Sequence, residues 1–274
     1  MTQTAPRKTT SRVALAQTNA SEDFQANVNQ ALEMVPEAAR EGADLLAFPE
    51  VFLFIGNREG RLRVAEPLDG PTVSRFREAA AKHGILILLG SIHERIEGRD
   101  DKIHNTSVLI GRDGELIGHY RKINMFDLEL PNLTFKESDT IQRGDVPPPV
   151  LETDIGRVGL SICFDMRFPD LYQHLRRAGA EIIFIPANFT AHTGAAHWEV
   201  MLRARAVETQ CWVGAPAQWG RHSSKQAVYG HSALVDPWGH VTALAPEKTG
   251  LTYGTVDLDY LRKVRRELPM GFPE

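Results

Sequence analysis

Two stretches of this chain are near copies of one another: Gly42-Ala-Asp-Leu-Leu-Ala-Phe-Pro-Glu50 and Gly179-Ala-Glu-Ile-Ile-Phe-Ile-Pro-Ala187. Each follows a helix-period segment rich in Ala and Arg, and each opens on a glycine suited to the left-handed residue that ends a helix. A third helix-Gly-strand unit runs from Ser74 through His83-Gly84 into Ile85-Leu-Ile-Leu-Leu89. Strands buried on both faces need apolar residues at every position, and these have them. Repeated alternation of such helices and strands predicts an α/β sandwich, not separate α and β domains. Hairpins sit between the units. Thr106-Ser-Val-Leu-Ile110 turns at Gly111-Arg-Asp-Gly114 into Glu115-Leu-Ile-Gly-His-Tyr120, and Ser232-Ala-Leu-Val235 turns at Asp236-Pro-Trp-Gly239 into Val241-Thr-Ala-Leu244. The sheets are therefore expected to be mixed.

The Pro147-Pro-Pro149 cluster is too short to separate domains, and no long Gly/Ser or charged linker occurs. We expect one domain over residues 11–274, preceded by a disordered tail over residues 1–10, which are polar, basic and free of acids. A chain of 274 residues can bury a large core. Its net charge of -4 argues against an electrostatic grip on nucleic acid or on an anionic membrane, so the expected partner is a small molecule. The two cysteines, Cys163 and Cys211, form no CxxC or Cys/His cluster. Neither a disulfide framework nor a structural metal site is indicated, and a reducing, cytoplasmic location is the expectation. No apolar stretch approaches the roughly 18 residues of a membrane span.

Cys163 ends the apolar run Arg157-Val-Gly-Leu-Ser-Ile-Cys163, just where the charged turn Phe164-Asp-Met-Arg-Phe-Pro-Asp170 begins and a helical segment follows. A strand breaking into a sharp turn presents its next side chain at the lip of a sheet, as nucleophiles are presented. Glu50 ends the first copied strand in a comparable place, at the edge where open α/β sheets bind ligands. Lys122 follows the strand ending at Tyr120-Arg121. These three residue types complement each other. A thiol needs a base, which Glu50 supplies if burial lifts its pKa. Attack on an amide or nitrile carbon then builds negative charge, which the Lys122 ammonium and the backbone N–H of Phe164 would stabilise. One glutamate can serve both half-reactions, so the scheme hydrolyses a carbon–nitrogen bond without a histidine or a metal.

With these residues in place, the chain resembles the nitrilase superfamily of carbon–nitrogen hydrolases. The resemblance rests on Leu46-Ala-Phe-Pro-Glu50, on Tyr120-Arg-Lys122 followed by Phe126-Asp127, and on Gly159-Leu-Ser-Ile-Cys163-Phe-Asp-Met-Arg-Phe-Pro169, in the family's order. It extends from about Arg12 nearly to the C-terminus. Ala196-His-Trp-Glu199, Arg203-Ala-Arg-Ala-Val-Glu-Thr-Gln210 and Tyr229-Gly-His-Ser232 bring it nearest to the Nit branch. It implies a single-domain, four-layer α-β-β-α sandwich, a Glu50–Lys122–Cys163 triad, an accessory Glu137 within Thr134-Phe-Lys-Glu137, no cofactor, and assembly as a homodimer or higher homo-oligomer. The implied activity is that of an amidase releasing ammonia, through a thioester, from a small carboxylate-bearing amide such as deaminated glutathione. An ω-amidase, a nitrilase or an N-carbamoyl hydrolase of the same superfamily is the related alternative. A non-catalytic scaffold retaining the fold belongs to a different class, and the presence of all three chemical groups argues against it. Three departures from the family pattern, Asn124, Asn132 and Ala195, are expected near the pocket rim.

Several further residues have two readings each. Arg167 could hold a substrate carboxylate through its planar fork, or pair with Asp165 or Asp170 within the turn. Thr193 reads as the N-cap of a helix beginning near Ala195, and Glu199 with Arg203 as a helix-surface ion pair. Asn188, Phe189, Thr193 and His197 are candidates to line the substrate pocket. Cys211, within an apolar run, is expected to be inert core.

Overall fold

The copied stretches each build the middle of a separate sheet. The computed structural model describes residues 7–130, 133–223 and 226–272. The first part of the chain supplies β1 (Thr10–Gln17), α1 (Phe24–Arg40), β2 (Leu45–Ala47), α2 (Arg58–Val64), α3 (Pro71–His83), β3 (Leu86–Arg95), β4 (Ile103–Ile110) and β5 (Leu116–Arg121). A hairpin of β6 (Asp127–Leu130) and β7 (Leu133–Lys136) follows. The second part supplies β8 (Val150–Thr153), β9 (Gly156–Leu160), α4 (Pro169–Arg177), β10 (Ile182–Phe184), α5 (Ala191–Thr209), β11 (Trp212–Ala215), β12 (Trp219–Arg221), β13 (Ala227–Tyr229), β14 (Ala233–Val235), β15 (Val241–Leu244), β16 (Gly250–Asp257) and α6 (Leu258–Glu267).

Two six-stranded sheets result, ordered β16-β1-β2-β3-β4-β5 and β15-β14-β11-β10-β9-β8. Each has a parallel centre, β1-β2-β3 and β9-β10-β11, and antiparallel flanks. The copied strands β2 and β10 occupy equivalent central places, and both expected hairpins form, as β4–β5 and β14–β15. Side chains alternate between layers, as a pleated strand requires. Val13, Leu15, Leu45, Ala47 and Leu88 of the first sheet join Val158, Leu160 and Ile183 of the second in one core. From the same strands of the first sheet, Ala14, Leu46 and Ile87 face the other way, onto Val28, Ala31 and Val35 of α1 and Phe76 of α3. Helices α4 and α5 cover the second sheet with Leu171, Leu175, Trp198 and Leu202. This is the expected four-layer α-β-β-α arrangement.

The helix ends follow local chemistry. Asp23 caps α1 by accepting from the Ala26 N–H at 3.0 Å. Gly84 adopts the left-handed conformation directly after α3, while Gly42 and Gly179 take positive φ just beyond α1 and α4. The tail boundary is corrected. Of residues 1–10, the first six lie outside the described residues, but Arg7 pairs with Glu181, Lys8 pairs with Asp44 and donates its backbone N–H to Asp154 O, and Thr10 begins β1. These contacts tie both sheets to the chain start, so order begins ahead of residue 11. Among the described residues, no helix is long and apolar enough to cross a membrane.

One close approach sets the exit of β2. A Cβ added at Gly90 would lie 1.8 Å from the Phe48 carbonyl oxygen and 2.5 Å from that of Pro49. The backbone leading to Glu50 thus crosses β3 where only glycine fits. Gly90→Ala should destabilise the protein by about 3 kcal/mol or more in urea unfolding; a wild-type midpoint would contradict this packing.

Candidate active site

Glu50, Lys122 and Cys163 converge. Glu50 lies just past β2, Lys122 directly after β5 and Cys163 three residues beyond β9, and they are 5%, 2% and 8% exposed. The Lys122 ammonium donates to Glu50 Oε1 at 2.9 Å and to Glu137 Oε1 and Oε2 at 3.0 and 2.9 Å. The Cys163 thiol lies close enough to both for the Glu50 and Lys122 charges to act on it. Residues far apart in the chain therefore form one buried cluster.

Each member is held from its own side. Phe48 stacks on Phe52 with centroids 4.6 Å apart, and both meet the edge of Phe76 from α3, so the turn carrying Glu50 is pinned by aromatic packing. The Val51 N–H donates to Ser91 Oγ at 3.0 Å, and Gln218 Nε2 donates to the Glu50 carbonyl at 3.1 Å. Lys122 extends the β4–β5 ladder by donating its N–H to Asn105 O at 2.9 Å. Glu137 exchanges hydrogen bonds with Phe126, whose N–H reaches Glu137 Oε2 at 2.8 Å. Cys163 takes a positive φ of 43°, and Val51, next to Glu50, takes 45°. Such backbone costs about 1–3 kcal/mol for a non-glycine residue and persists only where its surroundings over-determine it.

The buried Glu50 has polar partners on several sides. Besides Lys122, its carboxylate accepts from Asn105 Nδ2 at 3.0 Å and from the Asn188 N–H at 2.9 Å. Burial alone would depress the Lys122 ammonium, but Glu137 and Glu50 outweigh it and hold its pKa well above the ordinary lysine value. Burial likewise works to raise the Glu137 carboxyl, yet Lys122 and the donors around it bring it below the usual range. Burial pushes the Cys163 thiol well up, the Glu50 charge adds to this, and Lys122 opposes it. These influences favour the protonated thiol at neutral pH.

The segment after Cys163 turns before a helix follows, as expected. A short 3₁₀ turn, Cys163–Arg167, comes first, and α4 starts only at Pro169. Proline has no N–H to give and holds Phe168 extended, so a continuous helix cannot form there. Arg167 makes no ion pair with a described residue, so neither Asp165 nor Asp170 is its partner. Its guanidinium lies over the rings of Phe164 and Phe189, at 5.6 and 5.3 Å, and against His197 Nδ1 at 3.2 Å. Phe189 packs on Trp198, and the Asn188 side-chain oxygen faces His222 Nε2 at 3.0 Å. The capping expectation for Thr193 is corrected. Helix α5 starts at Ala191 because the Thr190 carbonyl already accepts from the Gly194 N–H; Thr193 sits in its first turn, with its hydroxyl 2.6 Å from that of Thr190. Glu199 and Arg203 form the expected surface pair at 3.8 Å. Cys211 is fully buried against the Ala180 carbonyl, as inert core.

Asn124 is half-buried, and its side-chain amide donates to the buried Asp165. Ala195 is exposed on α5, and Asn132 lies outside the described residues. Sequence reasoning missed Asn105, which donates to both Glu50 and Glu137. Its one signal is a polar side chain at a buried position in the strand. A cleft of about 730 Å³ lined by Asn124, Arg143, Val146, Phe168 and His174 opens beside this region, but Glu50, Lys122 and Cys163 do not line it. The convergent chemistry, not the cleft, marks the site.

The two-sheet sandwich thus gathers a thiol, an ammonium and two carboxylates, all buried, near its strand ends. The chain belongs to the carbon-nitrogen hydrolase family, whose sequence profile matches residues 12–266. It is 44% identical over 264 residues to deaminated glutathione amidase of Homo sapiens, covering 94% of this chain and 80% of that protein. Saccharomyces cerevisiae Nit3, described as a member of branch 10 of the nitrilase superfamily, superposes with a TM-score of 0.87 at 30% identity, covering 97% of this chain and 98% of that one. The Caenorhabditis elegans NitFhit protein superposes with a TM-score of 0.92 at 37% identity over 96% of this chain. This chain spans only 64% of NitFhit.

The thiol's environment makes a titration prediction. Thiolate absorbance assigned to Cys163, as the difference between wild type and Cys163→Ala, should be missing at neutral pH and emerge only above the ordinary thiol pKa of about 8.5. Glu50→Gln removes the neighbouring negative charge and should move that rise to lower pH. A thiolate already formed at neutral pH in the wild type would refute this picture.

Proposed function

We propose that the protein is a cysteine-dependent amidase for small carboxylate-bearing amides, with deaminated glutathione as the leading substrate. The observation that carries the reading is the Lys122 ammonium, 2.9 Å from Glu50 Oε1, in one buried cluster with the Cys163 thiol. The human relative's named activity supports the choice of substrate.

In this reading Glu50 takes the proton from Cys163 as the sulfur attacks the amide carbon, and the carbonyl electron pair moves onto oxygen. Lys122 and the backbone N–H of Phe164 stabilise that oxyanion, at a point where preorganised charge is worth most. The carbon–nitrogen bond then breaks, Glu50 returns its proton to the departing nitrogen, and a thioester remains. Water enters, gives a proton to Glu50, and its oxygen attacks the thioester carbon. Collapse releases the acid, and the sulfur regains its proton from Glu50. Glu137 and Asn105 keep the lysine and the carboxylate in register throughout. Arg167, with no carboxylate partner among the described residues and lying over Phe164 next to the nucleophile, is suited to a substrate carboxylate, with Phe189 and His197 beside it; Asn188 and Thr193 complete the set proposed to line the pocket.

The leaving group refines the expectation of ammonia. A primary carboxamide releases ammonia, whereas the former γ-glutamyl linkage of deaminated glutathione is a secondary amide, so the nitrogen leaves as an amine. The exposed Val200 and Val207 of α5, the latter beside Gly239, support self-association, which sedimentation would test. A cytoplasmic location is part of the same proposal.

Cys163→Ala should abolish turnover and leave the fold intact. Glu50→Gln should lower kcat by about two to four orders of magnitude, and Lys122→Ala by roughly a hundredfold or more. Acid formation from deaminated glutathione and from primary ω-amides, followed by mass spectrometry of the thioester, is the measurement. Retained activity in any of the three variants overturns that residue's role, and no hydrolysis of any amide by the wild type overturns the reading. Arg167→Met should raise KM for carboxylate-bearing amides by roughly tenfold or more while leaving neutral amides unaffected; an equal change for both would remove Arg167 from carboxylate binding.

A further inference from the structure

Asp165 is fully buried two residues after the nucleophile, and each of its carboxylate oxygens accepts two hydrogen bonds. Oδ2 accepts from the Tyr120 hydroxyl at 2.9 Å and from the Ile162 N–H at 2.9 Å. Oδ1 accepts from the Asn124 N–H at 3.2 Å and from Asn124 Nδ2 at 2.8 Å. Tyr120 and Asn124 bracket Lys122 at two residues on either side, and the Tyr120 hydroxyl also accepts from the Ile123 N–H at 3.3 Å. Ile162 immediately precedes Cys163, and the Asp165 N–H returns a hydrogen bond to the Ile162 carbonyl at 3.0 Å. A reciprocal pair therefore spans the left-handed Cys163, while the same carboxylate grips both flanks of the lysine.

We propose that Asp165 is a positioning residue which, through Tyr120 and Asn124, locks the Lys122 segment to the strained Cys163 turn and so sets the distance between ammonium and sulfur. Its role rests on the catalytic reading given above, but the tie itself is geometric. Two observations argue that the tie matters. First, the positive φ at Cys163 persists only where neighbouring contacts over-determine it, and the Ile162–Asp165 pair closes directly over that residue. Second, a carboxylate is a demanding choice for a fully buried place: burial raises its pKa to about 6 against the pull of Lys122 and of its donors. All four groups that meet it, from three residues, donate, so a side chain with two accepting oxygens satisfies every one of them.

This explains why asparagine cannot replace it. With the new amide nitrogen at the Oδ2 position, the Ile162 N–H faces a donor. In the flipped orientation the Asn124 N–H does. Either way one backbone N–H is left unpaired in the interior, and one side of the clamp opens.

The test compares Asp165→Asn with Tyr120→Phe and Asn124→Ala. It uses two readouts: the rate of Cys163 alkylation by iodoacetamide, which needs no substrate, and kcat and KM on an amide that the wild type hydrolyses. Asp165→Asn should slow alkylation and lower kcat by about tenfold to a hundredfold each, with KM within roughly threefold, as for a small misplacement of reacting groups. Tyr120→Phe and Asn124→Ala should each produce a smaller loss in the same two quantities. Cooling well below the unfolding transition should not restore either one. The proposal is overturned by wild-type alkylation and kcat in Asp165→Asn, by recovery on cooling, or by losses confined to KM. Should Asp165→Asn fail to fold, wild-type values of both readouts in Tyr120→Phe and Asn124→Ala overturn it equally. If the wild type hydrolyses no amide, the catalytic reading fails while the alkylation series still decides whether the clamp holds the thiol.

Discussion

The rest of the structure depends on a lysine ammonium removed from water. Lys122 is buried and meets three carboxylate oxygens at 2.9–3.0 Å. An unpaired charge in such a place is prohibitively unfavourable, so the ends of β2 and β5 and the turn carrying Glu137 must arrive together or not at all. Two carboxylates against one ammonium leave an excess of negative charge. Neutral donors disperse it: the N–H groups of Asn188 and Phe126 and the side-chain amide of Asn105. Burial, with the Glu50 charge adding to it, holds the Cys163 thiol well above its ordinary pKa.

The two sheets present this chemistry in parallel ways. In each, a parallel central strand runs out into a turn containing a non-glycine residue with positive φ, Val51 in one and Cys163 in the other. Rigid packing carries the strain. Phe48, Phe52 and Phe76 brace the first turn, and Asp165 with Tyr120 braces the second. Side chains on such turns are held to a small range of positions.

Much of the site could be read in the chain itself. Glu50, Lys122 and Cys163 stand out because each follows an apolar strand at a break, where a reactive side chain has no local structural task. Glu137 was reached through resemblance, since its own surroundings in the sequence are unremarkable. Asn105 went unread, and Asp165 was read only as a possible partner of Arg167, for a different reason. A polar residue inside a strand, or an acid in a charged turn, looks like solvated surface until a second sheet covers it. Arg167 had two readings with equal local support, and only the positions of Phe164, Phe189 and His197 around its guanidinium separate them. The start of α5 was misplaced because the Thr190 carbonyl and its bridge to Val228, not Thr193, set where winding begins.

Local order was therefore determined by the sequence alone. Periodicity, glycine at helix ends and turn chemistry specify helices, strands and the points where strands stop, because these depend on interactions within a few residues. Tertiary structure decided everything that needs two distant segments at once: which sheet covers which, which polar groups become buried, and which donors meet which oxygens. Those outcomes turn on separations of about 3 Å between residues far apart in the chain, and such distances exist only once both sheets have packed.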